Sequence, residues 1–134
     1  MLSRTDRRLP FTGDPIWNLE LQTPGSDGVD FETVTGRAHR QNADRHRAGT
    51  RAPLPPGRYS VGPHNPAELG PVWIGLEPRF PTVRGHLGIH LDPRANRNAN
   101  SGTLGCVGLI HSEEILKLAS LIEQRKVRTL VVME

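Results

Sequence analysis

The sequence predicts a mainly β fold, a curved mixed sheet or flattened barrel with one packed amphipathic helix, and three observations lead there. Glycine and proline occupy 14 and 12 of the 134 positions, so the chain must turn often. Short apolar runs recur with alternating character, the period of a half-buried strand. One stretch near the C-terminus has the helical period instead. The length suits one domain, residues 1–134, with room for a real core but little for a second.

Residues 1–14 read as a basic, turn-rich start. PIWNLELQ (15–22) alternates Ile16, Leu19 and Leu21 with polar neighbours, imperfectly, as a strand. An SDG turn at 26–28 and VDFETVTG (29–36) complete a hairpin, with Val29, Phe31 and Thr33 on one face. Residues 37–51 have no apolar period and five arginines, which predicts an exposed loop. LPPGRYSVG (54–62) is a turn leading into a short strand, and PVWIGLEP (71–78) is a second strand closed by proline. In HLGIHLD (86–92), His86, Gly88, His90 and Asp92 fall on one face and Leu87, Ile89 and Leu91 on the other. VGLI (107–110) is a further strand. The helix is SEEILKLASLIEQRK (112–126): Ser112 is placed to cap it, and Glu113 and Glu114 suit its positive end. Arg125 and Lys126 suit the other end. Ile115, Leu118, Ala119 and Ile122 form its buried stripe, broadened by Leu116 and Leu121. TLVVM (129–133) ends the chain as a strand.

The net charge of +3 and a pI near 9.7 come almost wholly from arginine, since Lys117 and Lys126 are the two lysines. Such a surface suits an anionic partner or serves solubility alone. The arginine-rich 37–51 segment has no interleaved aromatic residue for base stacking, so nucleic acid is not the expected partner. No apolar run is long enough to cross a bilayer, and no h-region follows the first residues, so delivery outside the cytoplasm is expected to depend on another component.

A lone cysteine cannot form an intrachain disulfide, which leaves two readings of Cys106: buried filler or nucleophile. A thiol nucleophile needs a base, oxyanion donors and access. His90, sixteen positions upstream and on a strand, supplies a candidate base. Gly105 permits an unusual backbone angle, so that amides beside Cys106 can face an oxyanion. His86, His90 and Asp92 on one strand face also suggest a metal site if His111 or Cys106 arrives as a third ligand. The expectation remains that no metal or organic cofactor is used, with Asp92 bonding the loop it opens and His39, His46 and His64 in surface loops. Trp17 and Trp73 read as core or cleft walls.

Ile89-His90, followed by Thr103-Leu104-Gly105-Cys106-Val107, a strand, an amphipathic helix and a closing strand, resembles the catalytic domain of the L,D-transpeptidases, the YkuD-like cysteine enzymes of peptidoglycan. LPPGRYSVG is similar to that family's P-x-G-x-Y-x-I turn and strand. The resemblance is strongest over residues 50–134. It implies that Cys106 is the nucleophile and His90 its base. It further implies that Gly105 and the amides of 104–106 form the oxyanion site, and that Thr103 orients the loop through its hydroxyl. His86, Asp92, Arg94, Arg97 and Leu104 would border the substrate. The implied reaction is acyl transfer on a peptidoglycan stem peptide, as an L,D-transpeptidase or L,D-carboxypeptidase, in the periplasm or cell wall. A bacterial wall enzyme, a phage lysis protein and a secreted effector all fit. Three positions depart from the family: Leu91 stands where glycine usually follows the histidine, Leu104 replaces a polar residue, and Gly108 replaces an arginine for which Arg84, Arg94 or Arg97 could substitute. They leave nucleophile and base in place and bear on substrate choice and on transfer against hydrolysis. The rival expectations are a catalytically silent wall-binding module of the same fold and a basic nucleic-acid binder. The oligomeric state is left open.

Overall fold

Alternation assigns each strand an inner and an outer face, and closing the sheet into a barrel buries every inner face at once. The computed structural model describes residues 1–22, 28–36, 53–67, 70–82, 87–92, 103 and 106–133, with the backbone alone for 63–67 and 70–71. Its elements are β1 (Leu2–Arg8), β2 (Pro15–Leu21), β3 (Val29–Thr35), β4 (Gly57–Ala67), β5 (Gly70–Pro78), β6 (Leu87–Leu91), β7 (Val107–Leu109), α1 (Glu114–Gln124) and β8 (Thr129–Val132). The strands form a closed barrel in the order β1-β2-β3-β7-β6-β5-β4-β8. Neighbours are antiparallel except β6 with β7 and β1 with β8, which are parallel, so the sheet is mixed. The chain is therefore a mainly β barrel with one helix among the described residues.

Inward residues of seven strands, among them Leu19, Phe31, Tyr59, Ile74, Ile89, Leu109 and Leu130, form one apolar cluster with Leu2 of β1 and with Ile115, Leu118, Ala119 and Ile122 of α1. The helix thus joins the core through this stripe and keeps its opposite face, with Lys117, Ser120 and Gln124, exposed. Leu121 packs at the edge of this cluster, whereas Leu116 is 60% exposed and does not widen the buried stripe.

Several expectations are corrected. The opening residues are not a turn-rich lead-in: Leu2–Arg8 is a strand paired with both β2 and β8. It escapes pattern reading because Leu2 is its one buried residue. In β2 the inward set is Trp17, Leu19 and Leu21; Ile16 faces outward and is buried with Leu9 and Val34 in a second, smaller cluster. That outer cluster explains the imperfect alternation. β4 runs on to Ala67, so His64 lies in a strand, opposite Ile74, and not in a loop. Ser112 does not cap α1: Glu113 holds the cap position without a side-chain bond, and the Glu114 N–H instead meets the His111 carbonyl at 3.0 Å in a preceding turn. The helix ends with Lys126 at φ 52°, where its N–H meets the Glu123 carbonyl and the Val127 N–H meets the Ile122 carbonyl. This is a Schellman stop built on lysine where glycine is usual.

Tyr59 is fully buried, donates its hydroxyl to the Pro55 carbonyl at 2.6 Å, and meets Phe80 edge to face. The bond latches the proline turn onto β4, with Gly57 at φ 139° making the corner that an L side chain rarely adopts. The expected 26–28 turn and 37–51 loop, with His39 and His46, lie outside the described residues, except for Gly28.

Candidate functional site

The β6–β7 seam carries the site. β6 pairs with β7 in parallel, Ile89 to Val107, His90 to Gly108 and Leu91 to Leu109. Ile89, Val107 and Leu109 point into the core, so His90 and Gly108 share the outer face. Cys106 stands one residue before β7 and is half-buried. Its chain neighbour Val107 is the partner of Ile89, so Cys106 enters the seam at the end beside β6. The barrel brings His90 and Cys106 onto one seam although sixteen positions separate them in the chain.

His90 is held at two points. Its Nδ1 lies 2.8 Å from the carbonyl oxygen of Leu91. A carbonyl only accepts, so Nδ1 carries the proton and the Nε2 lone pair of the neutral ring is left to act as a base. The Leu91 position supplies this bond through its backbone, so a residue other than glycine after the histidine is compatible with it. The imidazole also stacks on the Trp73 indole, with centroids 5.7 Å apart and planes within 11°. Sequence reasoning left Trp73 as a core or cleft wall. Its place opposite His90 follows from the β5–β6 register, Ile74 to Ile89 and Gly75 to Gly88, which no local pattern reveals.

Thr103 is buried and bridges three segments. Its hydroxyl donates to the Cys106 carbonyl at 2.5 Å and accepts from the Gly36 N–H at 2.9 Å. Its own N–H meets the Gly36 carbonyl at 2.9 Å. Gly36, at φ 68°, can turn there because it has no side chain. The turn entering Cys106 is thereby fastened to the end of β3. Asp92 is 5% exposed, and its N–H bonds the Leu109 carbonyl at 2.9 Å, extending the β6–β7 pairing by one residue.

Gly108 has a steric reason. A Cβ there would lie 2.9 Å from Cβ of Asp92 and 3.0 Å from Cγ2 of Thr103, with Val34 at 3.4 Å. An arginine at this position would displace the side chains of Asp92 and Thr103, and the Thr103 hydroxyl holds the turn. His86, Arg94, Arg97, Leu104 and Gly105, like Arg84, lie outside the described residues. So do the residue 104 and 105 amides of the expected oxyanion site.

Among the described residues no three His, Cys, Asp or Glu side chains gather as metal ligands. His111, the suggested third ligand, instead places Nε2 3.0 Å from Oε1 of Glu32, whose Oε2 takes Arg7 Nη1 at 2.5 Å. The hydrogen bond that His111 makes to the Glu32 carboxylate is the main cause holding its imidazole above the ordinary value; burial works against it, and the nearby carboxylates of Glu114, Glu32 and Glu113 add to it. The His111 and Arg7 bonds hold the Glu32 carboxyl below its own. His111, raised on folding, stabilises fully below its ordinary 6.5 and stops doing so as pH rises through its raised value. Glu32, lowered on folding, stabilises above its ordinary 4.5 and loses that as pH falls through its depressed value. Both act together between 4.5 and 6.5. The groups are well exposed, so screening limits the effect: His111→Asn is expected to cost about 0.5 kcal/mol near pH 5.5 and close to nothing near pH 8.5. Urea melts at the two pH values measure it; an equal cost at both would show that the ion pair contributes nothing.

A cavity of about 500 Å³ opens elsewhere, between β4, β5 and α1, lined by Val61, Gly62, Ile74, Ala119, Ile122, Glu123 and Arg128, and touches none of these residues. No helix among the described residues is long and apolar enough to cross a membrane.

No family model, curated protein or solved structure matches this chain. The likeness to the L,D-transpeptidases therefore rests on the motif itself.

Proposed function

We propose that the chain is a cysteine acyltransferase or peptidase acting on peptidoglycan stem peptides, with Cys106 as nucleophile and His90 as its base. The observation that carries this reading is the Nδ1 to Leu91 carbonyl bond, which leaves Nε2 as acceptor on the strand beside Cys106. The Thr103 tether adds support, because a nucleophile serves only when its turn is held in one place.

The thiol proton passes to His90 Nε2 and the thiolate attacks the carbonyl of the L-centre to D-centre amide. The tetrahedral intermediate collapses as the imidazolium returns its proton to the leaving amine, so D-alanine departs and a thioester remains on Cys106. A stem-peptide amine then resolves the thioester into a cross-link, or water resolves it into a tripeptide. The basic charge of the chain suits the carboxylates of such a substrate. The place of action is the periplasm or cell wall.

The test is incubation with purified disaccharide-tetrapeptide, read by mass, beside Cys106→Ala. Loss of one alanine marks hydrolysis and a joined dimer marks transfer, each absent in the variant. An unchanged substrate with the wild-type chain refutes the reading and favours a silent wall-binding module.

A further inference from the structure

We infer that Trp73 is a positioning residue for His90, and that position 88 is glycine so that the indole can lie where it does. The inference rests on the reading of His90 as the base for Cys106.

One hydrogen bond at Nδ1 fixes one atom of the ring and leaves its plane free to swing about that atom. A second contact off that axis is needed to fix the plane. The stack on Trp73, nearly parallel at 11°, is such a contact, and it bears on the ring face where the Leu91 bond bears on its edge. Together they hold the protonated Nδ1 on its carbonyl and keep Nε2 available. The indole face also attracts the imidazolium that forms when the thiol proton is transferred.

The place of the indole is written into β6. By the β5–β6 register Trp73 stands opposite His90, and the next residue on that face is Gly88. A Cβ on Gly88 would lie 2.5 Å from Cζ2, 2.6 Å from Cε2 and 2.8 Å from Cη2 of Trp73. The six-membered ring therefore rests on bare backbone. Any other residue must push the indole aside, and glycine inside a strand otherwise weakens it. Extending the β6–β7 register by one residue sets Gly88 level with Cys106. The indole thus runs along the strand from His90 toward the level of the nucleophile. Neither apolar packing nor strand propensity accounts for a glycine at this point, whereas a ring platform for His90 does.

The experiment compares wild type, Trp73→Leu, Trp73→Phe, Gly88→Ala and the double variant Gly88→Ala/Trp73→Leu, with His90→Gln as reference. The first readout is the nitrogen and proton NMR of the His90 ring, which reports its tautomer and the ring-current shift from a stacked indole. The second is the rate of Cys106 alkylation by iodoacetamide at neutral pH. Wild type is expected to show the Nδ1–H tautomer and upfield ring protons. Trp73→Leu and Gly88→Ala are expected to lose both and to alkylate roughly three- to tenfold more slowly, the factor a lost aromatic stack is worth. Trp73→Phe is expected to retain the tautomer, and alanine at 88 is expected to have no further effect once the indole is gone. An unchanged tautomer, ring shift and alkylation rate in Trp73→Leu would overturn the inference. If Trp73→Leu does not fold, Gly88→Ala and Trp73→Phe decide in its place. If wild-type Cys106 reacts no faster than in His90→Gln, the Cys–His reading fails instead, and the NMR readout alone decides whether Trp73 holds the ring.

Discussion

A His90→Gln protein is expected to process a stem peptide about 10²- to 10⁴-fold more slowly than wild type, the range that general base catalysis supplies. Glutamine approximates the imidazole in size and can still hydrogen-bond the Leu91 carbonyl, but it cannot take up a proton at neutral pH. In the proposed reaction the base that takes the thiol proton and returns it to the leaving amine is then lost. His90 is half-buried on the outer face and outside the apolar core, so the substitution is expected to change stability by no more than about 1 kcal/mol. Rate by mass, with a thermal melt on the same preparation, separates the two effects. A rate within twofold of wild type would remove His90 from the mechanism, even if Cys106→Ala were inactive.

Thr103→Val is expected to destabilise the chain by about 1–3 kcal/mol, because the hydroxyl serves one buried and one part-buried partner and leaving a buried group unmet costs roughly that much. Valine keeps the shape and the backbone N–H that meets Gly36, so only the hydroxyl bonds are lost. The Gly36 N–H and the Cys106 carbonyl are then the groups left without this partner. Against a total stability of about 5–15 kcal/mol this is a large loss, and it falls on the turn that carries Cys106, the proposed nucleophile. Turnover is therefore expected to drop with the melting temperature, and Thr103→Ser, which retains the hydroxyl, to recover most of both. Denaturant melts and the mass assay measure the two losses. A Thr103→Val protein as stable as wild type would show that the tether is dispensable.

Legibility differed from element to element for physical reasons. β5 and β8 alternate cleanly because one face meets the core and the other does not, and α1 shows its stripe for the same reason; β3 and β6 are blurred, by Val34 buried on the outer face and by Gly88 covered by Trp73. β1 carries no such mark, since Leu2 alone is buried and its place comes from backbone pairing with β2 and β8. β2 blurred because Ile16 is buried on its outer face. The same contrast holds at the site. Cys106, His90 and Thr103 were visible as residue types at suggestive spacing. Trp73 was not, because nothing near it in the chain says that it stands opposite His90. Gly108 could be read only as a missing arginine until Asp92 and Thr103 were seen to occupy the space around it.

Residue order by itself determined which side chains share a face and that the chain is mainly β with one helix, because side-chain direction repeats every two residues in a strand and every 3.6 in a helix. It did not determine which strand lies beside which. That was decided by barrel closure, through the pairs β1–β8, β3–β7 and β4–β8, whose partners are far apart in the chain. Period two names a face but no neighbour, and neighbours are chosen only when all the inner faces must be buried together. Cys106 and His90 were thus written locally as candidates. The Trp73 platform on Gly88 and the Thr103 tether to Gly36 join separate elements and exist only once the barrel has closed, whereas the His90–Leu91 bond lies between neighbours in the chain.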